Sequence, residues 1–540
     1  MGVGDGPRGG SGRGEHLMEE RMAETPGIGA QAPADRAGTR VPLLWSAGVA
    51  VVALATYLWL TPHVGSETDG SELTLVLAVG GVPHPTGYPM YILIGRPFCS
   101  LLHAMGASWW YAANAWSAVG AAVAVFFLHA LAARLVPASS SLGRGARFAI
   151  ALLPAGLLAL NPIWLNEATL AEVNSWHVAW VVGTCLLCFA LTCRLLETGA
   201  GRPPGKGAAV GWGLTCGLGL AHHLTSVIFV GPLTLALGWA LARSKRWSFA
   251  LVVTAIAGAL APLASYAYVA YRAFSPAPFQ WPLLEPSVES VWSHIRGARF
   301  GFFLGHFAPA EAQRALLDAW MYPFLIGGFV VLLLSAWRAS IAGRTFLGGA
   351  IGAAALQGLF VLNYGVVDPA PYFLPLLVVG LLGVPLAAAF IAERVRYAYM
   401  LGVLALAGLM LLAVPSVRGA RTRMTRLNYV ESRVRAAWAA IPFREAIVLW
   451  RDDMYVRLRA YQLLDGEKPG LYVENPNMLT WSGPRHAFEK RFGFDPLAQL
   501  ALRTDADLAF VPMNVKRLTQ VPVVDFMEVL WMTGGSTNPP

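Results

Sequence analysis

Asp69 and Glu72 stand three residues apart in "TDGSELTLVLAVGG", within a chain in which only 13% of residues are charged. On a helix that spacing puts both carboxylates on one face, where such groups can move a proton or hold a cation. A simpler role fits the same residues, with Asp69 as a helix N-cap and Glu72 as its capping-box partner. His84 and Tyr88 follow in "GGVPHPTGYPMY". Each proline there disfavours helix in the residue before it, and the glycines permit sharp turns. The expectation is a structured loop: two interfacial helices, the second over 89–104, joined by a rigid turn that holds the carboxylates against the mouth of a bundle. For His84 and Tyr88 a role in the turn and a contact with substrate are both open.

The elements behind this loop are set by composition. The chain has 540 residues, 56% hydrophobic, with 19 tryptophans. That is far from a soluble domain and implies a polytopic membrane protein. Its net charge of +9 lies mainly in short loops between apolar runs, so it reads as a topology signal and no nucleic-acid partner is expected. Cys185 and Cys188 have a C-x-x-C spacing inside "VVGTCLLCFALTC" and are expected to be lipid-facing or packing residues; Cys99, Cys193 and Cys216 also lie in apolar or membrane-proximal segments.

Residues 1–41 lack an apolar run and are expected to be a disordered cytoplasmic tail. About eleven membrane helices are expected from 42 to 416, near 42–61, 111–135, 147–165, 176–196, 208–222, 224–242, 247–271, 318–337, 345–362, 371–392 and 397–415. Arginines and lysines gather on alternate loops, including Arg134, Arg144, Arg194, Lys206, Arg243, Arg338 and Arg394. The positive-inside rule then makes the N-terminus cytoplasmic and puts the segment 417–540 on the opposite, periplasmic or lumenal side. The first loop (62–110) falls on that outer side, with "WLNEATLAEVNSWH", "AHHLTS", the loop 274–317 and "NYGVVDPAPYF". Nearly every unusual polar residue collects there. Such groups beside a bilayer are costly unless they face a cavity or one another, so they are functional candidates.

Together these motifs resemble a family. "TDGSELTLVLAVGGVPHPTGYPMYILIGRPF" is similar to the polytopic proteins related to the human transmembrane O-mannosyltransferase that modifies IPT/TIG domains, which have a GT-C-type fold. Their acidic D-S-G-E-like element reads D-G-S-E here, and H-P-P-G-Y-P reads H-P-T-G-Y-P, with Thr86 in place of a proline. The likeness continues through Glu172, His222 and His223, Arg272 and Trp281, His294 and Arg299, and Asp368 and Tyr372. Asn174 stands where the family often has an aromatic residue. The resemblance covers nearly all of 43–416 and only loosely the remainder.

It implies a mainly α, GT-C-type membrane bundle and an inverting glycosyltransferase. The implied donor is a polyprenyl-phosphate-linked sugar, mannose being favoured, and the acceptor is a hydroxyl of a protein or glycan at the outer face. Asp69 is the implied general base and Glu72 its partner. Arg272, Arg299, His294, His222 and His223 are candidates for stabilising the departing lipid phosphate, and His84, Tyr88, Glu172 and Asp368 for substrate binding. No cofactor is implied with certainty. A divalent metal held by Asp69, Glu72, Glu172 and a histidine is an alternative that no ligand spacing specifies.

After 417, "FREAIVLW", "GLYVEN" and "ADLAFVP" read as strands of a small α/β domain, with Asp452 and Asp453 just past the first. A transporter would show internal repeats and paired broken helices, and none is visible. A scaffold or receptor would have no use for two carboxylates at the bundle mouth.

Overall fold

The computed structural model describes residues 1–2, 41–66, 69–137, 140–197, 204–366, 368–395, 398–441, 444–450, 454–475, 477–493, 495 and 508–512. Almost all of the expected N-terminal tail, Asp452 and Asp453 lie outside the described residues.

The membrane part begins with α1 (Leu43–Leu60), followed by the first-loop helices α2 (Gly70–Val79) and α3 (Pro89–Ala104). Next come α4 (Trp109–Leu135), α5 (Arg144–Ala159), α6 (Pro162–Thr169), α7 (Asn174–Leu196), α8 (Lys206–His222), α9 (Val227–Arg243), α10 (Phe249–Leu263) and α11 (Ala267–Phe274). The loop helices α12 (Val288–Ile295) and α13 (Glu311–Trp320) lead to α14 (Tyr322–Ser335), α15 (Ile341–Val361), α16 (Leu374–Leu381), α17 (Gly383–Ala392) and α18 (Ala398–Ala440).

Among the described residues nine helical segments are long and apolar enough to cross a membrane, or ten if the bent pair α5 and α6 is one span. The fifth expected span, 208–222, is α8, a helix of 17 residues and not among these. Helices suit this setting because every backbone polar group must be satisfied within the segment. Their outward faces are apolar, with Leu44, Val52, Leu235, Ile256 and Leu334 all well exposed, the reverse of a soluble protein.

One expected span is not straight. The run 147–165 ends at Ala159 and turns by 73° into α6. Asn161 caps the new helix, its Oδ1 accepting from the N–H of Ile163 (2.9 Å) and Trp164 (3.3 Å), and Pro162 occupies its first position. Helices α8 and α10 pack through small residues, since a Cβ on Gly213, Gly217 or Gly258 would strike the opposing backbone.

Beyond the bundle, α18 runs for 43 residues without a break through 416–417 and, at about 1.5 Å per residue, is long enough to leave the bilayer. It feeds a three-stranded sheet of order β2-β1-β3. Strand β1 (Ala446–Trp450) pairs parallel with β2 (Leu471–Glu474) and antiparallel with β3 (Leu508–Pro512). Helix α19 (Tyr455–Leu464) connects the parallel pair, and α20 (Ser482–Phe492) follows β2. All five cysteines are free thiols, four of them buried.

This unit sits on the first-loop end of the bundle. Arg457 of α19, fully buried, donates to the carbonyls of Gly65 (2.7 Å) and Ser66 (2.8 Å) and to Glu431 on α18 (3.2 Å).

Candidate active site

The first loop is built from both ends. Asn114 on α4 donates to the carbonyl of Pro62 (3.0 Å) and accepts from the N–H of Ala171 (2.8 Å). One turn further on, Ser117 holds Glu172 by its backbone, at 2.9 and 3.0 Å. The 61–66 and 170–172 segments are thereby fixed to one rigid helix. Ser71 donates to Ser66 O (2.7 Å), which starts α2 just after Asp69. Gly80, at φ +70°, ends α2 in the left-handed conformation that favours glycine.

Asp69 occupies the N-cap position of α2 yet makes no side-chain cap bond, and its side chain is 55% exposed. Glu72 does not reach back to complete a capping box. Its Oε1 instead accepts from the backbone N–H of His84 (2.6 Å) and lies 3.1 Å from His84 Nδ1. The opposite ring nitrogen, Nε2, is 3.0 Å from the Tyr88 hydroxyl and 3.7 Å from Asp69 Oδ2. One imidazole thus joins a buried carboxylate to an exposed one.

Burial raises the Glu72 carboxyl above the usual range, an effect opposed by the adjacent His84. Burial likewise raises the Tyr88 phenol well above its ordinary value, which keeps its proton in place. Tyr88 in turn stacks on His223 (centroids 5.5 Å), and His223 meets His177 (4.7 Å) and Tyr372 (6.4 Å). Across the opening, Asp368 is raised to about 6 by burial and by the charge of Asp69. Trp281 covers the other side of His84 (5.9 Å) and touches Trp481 of the C-terminal unit (5.5 Å).

The expected residues divide accordingly. Asp69, Glu72, His84 and Tyr88 form one cluster, with His223 and Asp368 on its border. His222 and His223 part company because α8 ends between them: His222 Nε2 faces Val173 O (3.1 Å) while His223 adopts an extended backbone. His294 donates to Pro83 O (3.1 Å) and supports the turn, its imidazole lowered to about 3 by burial and so neutral. Arg299 lies over the Trp481 ring (4.0 Å). Arg272 is not beside the carboxylates. It flanks Gly80 at the far end of α2, together with Arg96.

A second polar network escaped the sequence reading. Glu167 on α6 accepts from Asn174 (2.8 Å) and Asn166 (3.1 Å), and Arg423 on α18 donates to Thr169 (2.8 Å). Asn174 therefore anchors a buried carboxylate. Nothing in the sequence around Arg423 signals this contact.

Asp69, Glu72 and His84 offer ligand atoms that all lie within 4.8 Å of one another. Two carboxylates and an imidazole form a plausible donor set for a divalent ion. The hydrogen bonds oppose that use, because His84 has one nitrogen on Glu72 and the other on Tyr88.

A family match starts on this cluster. Residues 69–248 match the Protein O-mannosyl-transferase TMEM260 N-terminal domain. That description is of a glycosyltransferase, and the TMEM260-like segment takes in the whole carboxylate–imidazole cluster, Glu172 and both histidines of "AHHLTS". No curated protein sequence matches the chain. Among solved structures, the Archaeoglobus fulgidus oligosaccharyltransferase AglB, in complex with an inhibitory peptide and a dolichol-phosphate, is 13% identical with a TM-score of 0.42, covering 77% of this chain and 59% of its own. The apo form of the A. fulgidus enzyme is 13% identical with a TM-score of 0.44, covering 80% and 65%. ArnT from Cupriavidus metallidurans, bound to undecaprenyl phosphate, is 13% identical with a TM-score of 0.42, covering 83% and 90%. The chain thus spans less than two thirds of the oligosaccharyltransferase.

Proposed function

We propose that this chain is a GT-C-type membrane glycosyltransferase that moves a sugar from a polyprenyl-phosphate donor to an acceptor hydroxyl on the outer face, with inversion. The observation that carries the reading is the exposed Asp69 carboxylate set 3.7 Å from an imidazole that a buried Glu72 holds in place. Mannose is the favoured sugar because the matching family is described as an O-mannosyl-transferase.

Asp69 takes the proton of the acceptor hydroxyl as its oxygen attacks the anomeric carbon of the sugar. The bond from that carbon to the phosphate oxygen breaks, and its electron pair leaves with the lipid phosphate. Glu72 fixes the His84 tautomer by accepting from Nδ1–H, so that Nε2 carries a lone pair toward Tyr88 and Asp69. Arg299, over the Trp481 ring that touches Trp281 beside His84, is the cation suited to the departing phosphate. In the cell the N-terminus is cytoplasmic, and the C-terminal unit and the first loop share the periplasmic or lumenal side.

The test is transfer from polyprenyl-phosphate-linked mannose and glucose by the purified chain in nanodiscs, wild type beside Asp69→Asn. Loss of turnover in a variant that is still folded and still binds donor supports the reading; equal turnover overturns it.

A further inference from the structure

Outside the carboxylate cluster, the loop that carries Trp281 forms one wall of a cavity of about 460 Å³ against the C-terminal unit. Gln280 and Phe279 line it from the loop, and Arg459, Tyr472, Glu474 and Arg491 from the sheet and its helices. Its position relates it to the chemistry. Gln280 immediately precedes Trp281, whose ring packs on His84 and whose N–H donates to Val82 O (2.9 Å).

The polar groups of the wall are poorly matched to one another. Gln280 is 8% exposed, and among the described residues neither its amide nitrogen nor its amide oxygen has a hydrogen-bond partner. An amide left unpaired in this way is unfavourable, and a ligand bringing both a donor and an acceptor removes that cost. Among the described residues neither Arg459 nor Arg491 has an ion-pair partner: Arg459 donates to Gln462 Oε1 (2.9 Å) and Pro278 O (3.1 Å), and Arg491 lies against the Tyr472 and Phe492 rings (5.3 Å each). Glu474 is the carboxylate of this wall, and burial pushes it up to about 7, so near neutral pH it offsets the two guanidiniums only in part.

An amide in search of both partners, next to an excess of positive charge, fits a peptide group flanked by an acidic side chain. A sugar ring fits less well, because sugars stack on open aromatic faces and none is free here. Phe279 is 6% exposed, Tyr455 is 2% exposed, and the Tyr472 ring is enclosed by Phe488 (5.4 Å), Phe492 (5.1 Å) and Arg491.

We propose that this cavity docks the acceptor polypeptide, pairing Gln280 with a backbone amide and Arg459 and Arg491 with a flanking acidic side chain, so that a neighbouring hydroxyl reaches Asp69. The proposal rests on the transferase reading for its consequence, and its test separates the two. Fluorescein-labelled hexapeptides blocked at both ends, with a central threonine flanked by glutamates or by lysines, are titrated against the full chain in nanodiscs and followed by anisotropy. Mannose released to water from the lipid-phosphate donor is measured in parallel.

The glutamate peptide is expected to bind about tenfold more tightly than the lysine peptide. Arg491→Gln should erase that preference, and Gln280→Leu, close in volume, should weaken both peptides by about tenfold, while donor hydrolysis stays as in wild type. Equal binding of the two peptides, wild-type binding by both variants, or displacement by a mannose oligosaccharide as readily as by unlabelled peptide would overturn it. A wild type that binds peptides with this preference but releases no mannose would sink the transferase reading and leave the docking site standing.

Discussion

Glu72 accepts two hydrogen bonds from His84, one from the backbone N–H at 2.6 Å and one from the ring Nδ1 at 3.1 Å. A residue of α2 thereby fixes both the position and the tautomer of a residue of the following turn. The pairing leaves Nε2 as an acceptor, and Asp69 is the carboxylate beside it that faces solvent.

Asp69→Asn should abolish transfer by a factor of about 10² or more, the usual worth of a positioned base. Folding should be unaffected, because the Asp69 side chain makes no cap bond and is more than half exposed. Turnover in nanodiscs and a thermal melt on the same preparation check both halves.

Glu72→Gln keeps an acceptor for the His84 backbone N–H but loses the negative charge. We expect transfer to fall by about tenfold, since a charge-assisted bond becomes a neutral one, with donor affinity unchanged. The KM and kcat for donor separate this from a binding defect. His84→Ala should match it in rate, and the double variant should be no slower than the worse single one.

Transfer should survive EDTA at concentrations that strip divalent ions. Both ring nitrogens of His84 are engaged, Nδ1 by Glu72 and Nε2 by Tyr88, so a metal would have to displace the Tyr88 hydroxyl. Loss of activity on chelation, restored by one divalent ion, would reverse the assignment.

What the sequence made legible follows from distance along the chain. The Asp69, Glu72, His84 and Tyr88 cluster falls within twenty consecutive residues, where local spacing and turn chemistry already restrict geometry. Hydropathy found the helices for the same reason, though a window average is blind to the Asn161–Pro162 start signal that bends α5 into α6. Glu167 was invisible as a site residue because its network is completed by Arg423, whose contact with Thr169 spans 254 positions. Arg272 was grouped with the carboxylates because it is on the same side of the membrane. A shared side does not report the length of α2, which separates Arg272 from Asp69 by roughly 15 Å at 1.5 Å per residue.

Asp368 predicts a pH dependence of stability. Burial and the Asp69 charge raise its carboxyl to about 6, so the stability it contributes is present below the ordinary aspartate range and is lost as pH rises through about 6. Asp368→Asn, which cannot ionise, should melt like wild type at pH 4 and above it at pH 7.5, by a difference on the order of 2 kcal/mol. Trp fluorescence melts at the two pH values provide the comparison.

Arg457→Met should destabilise the chain by about 1–3 kcal/mol, since the buried Gly65 carbonyl loses its side-chain donor, while Glu431 keeps Tyr461 and Arg435 and Ser66 O keeps Ser71. It should also depress transfer, although Arg457 is not part of the proposed chemistry, because the 65–66 segment that leads into Asp69 would lose its anchor. Limited proteolysis should then cut in the first loop, and Arg457→Lys should restore part of the protection.

That anchor reaches back 392 positions to Gly65 and 391 to Ser66. During synthesis the first loop emerges long before the helix that clamps it has been made. A chain halted between α4 and α18 would hold both carboxylates and the imidazole, with Asn114 on Pro62 O, but would lack the Arg457 clamp on Gly65 and Ser66. The order of translation therefore leaves this clamp unmade until most of the chain has been synthesised.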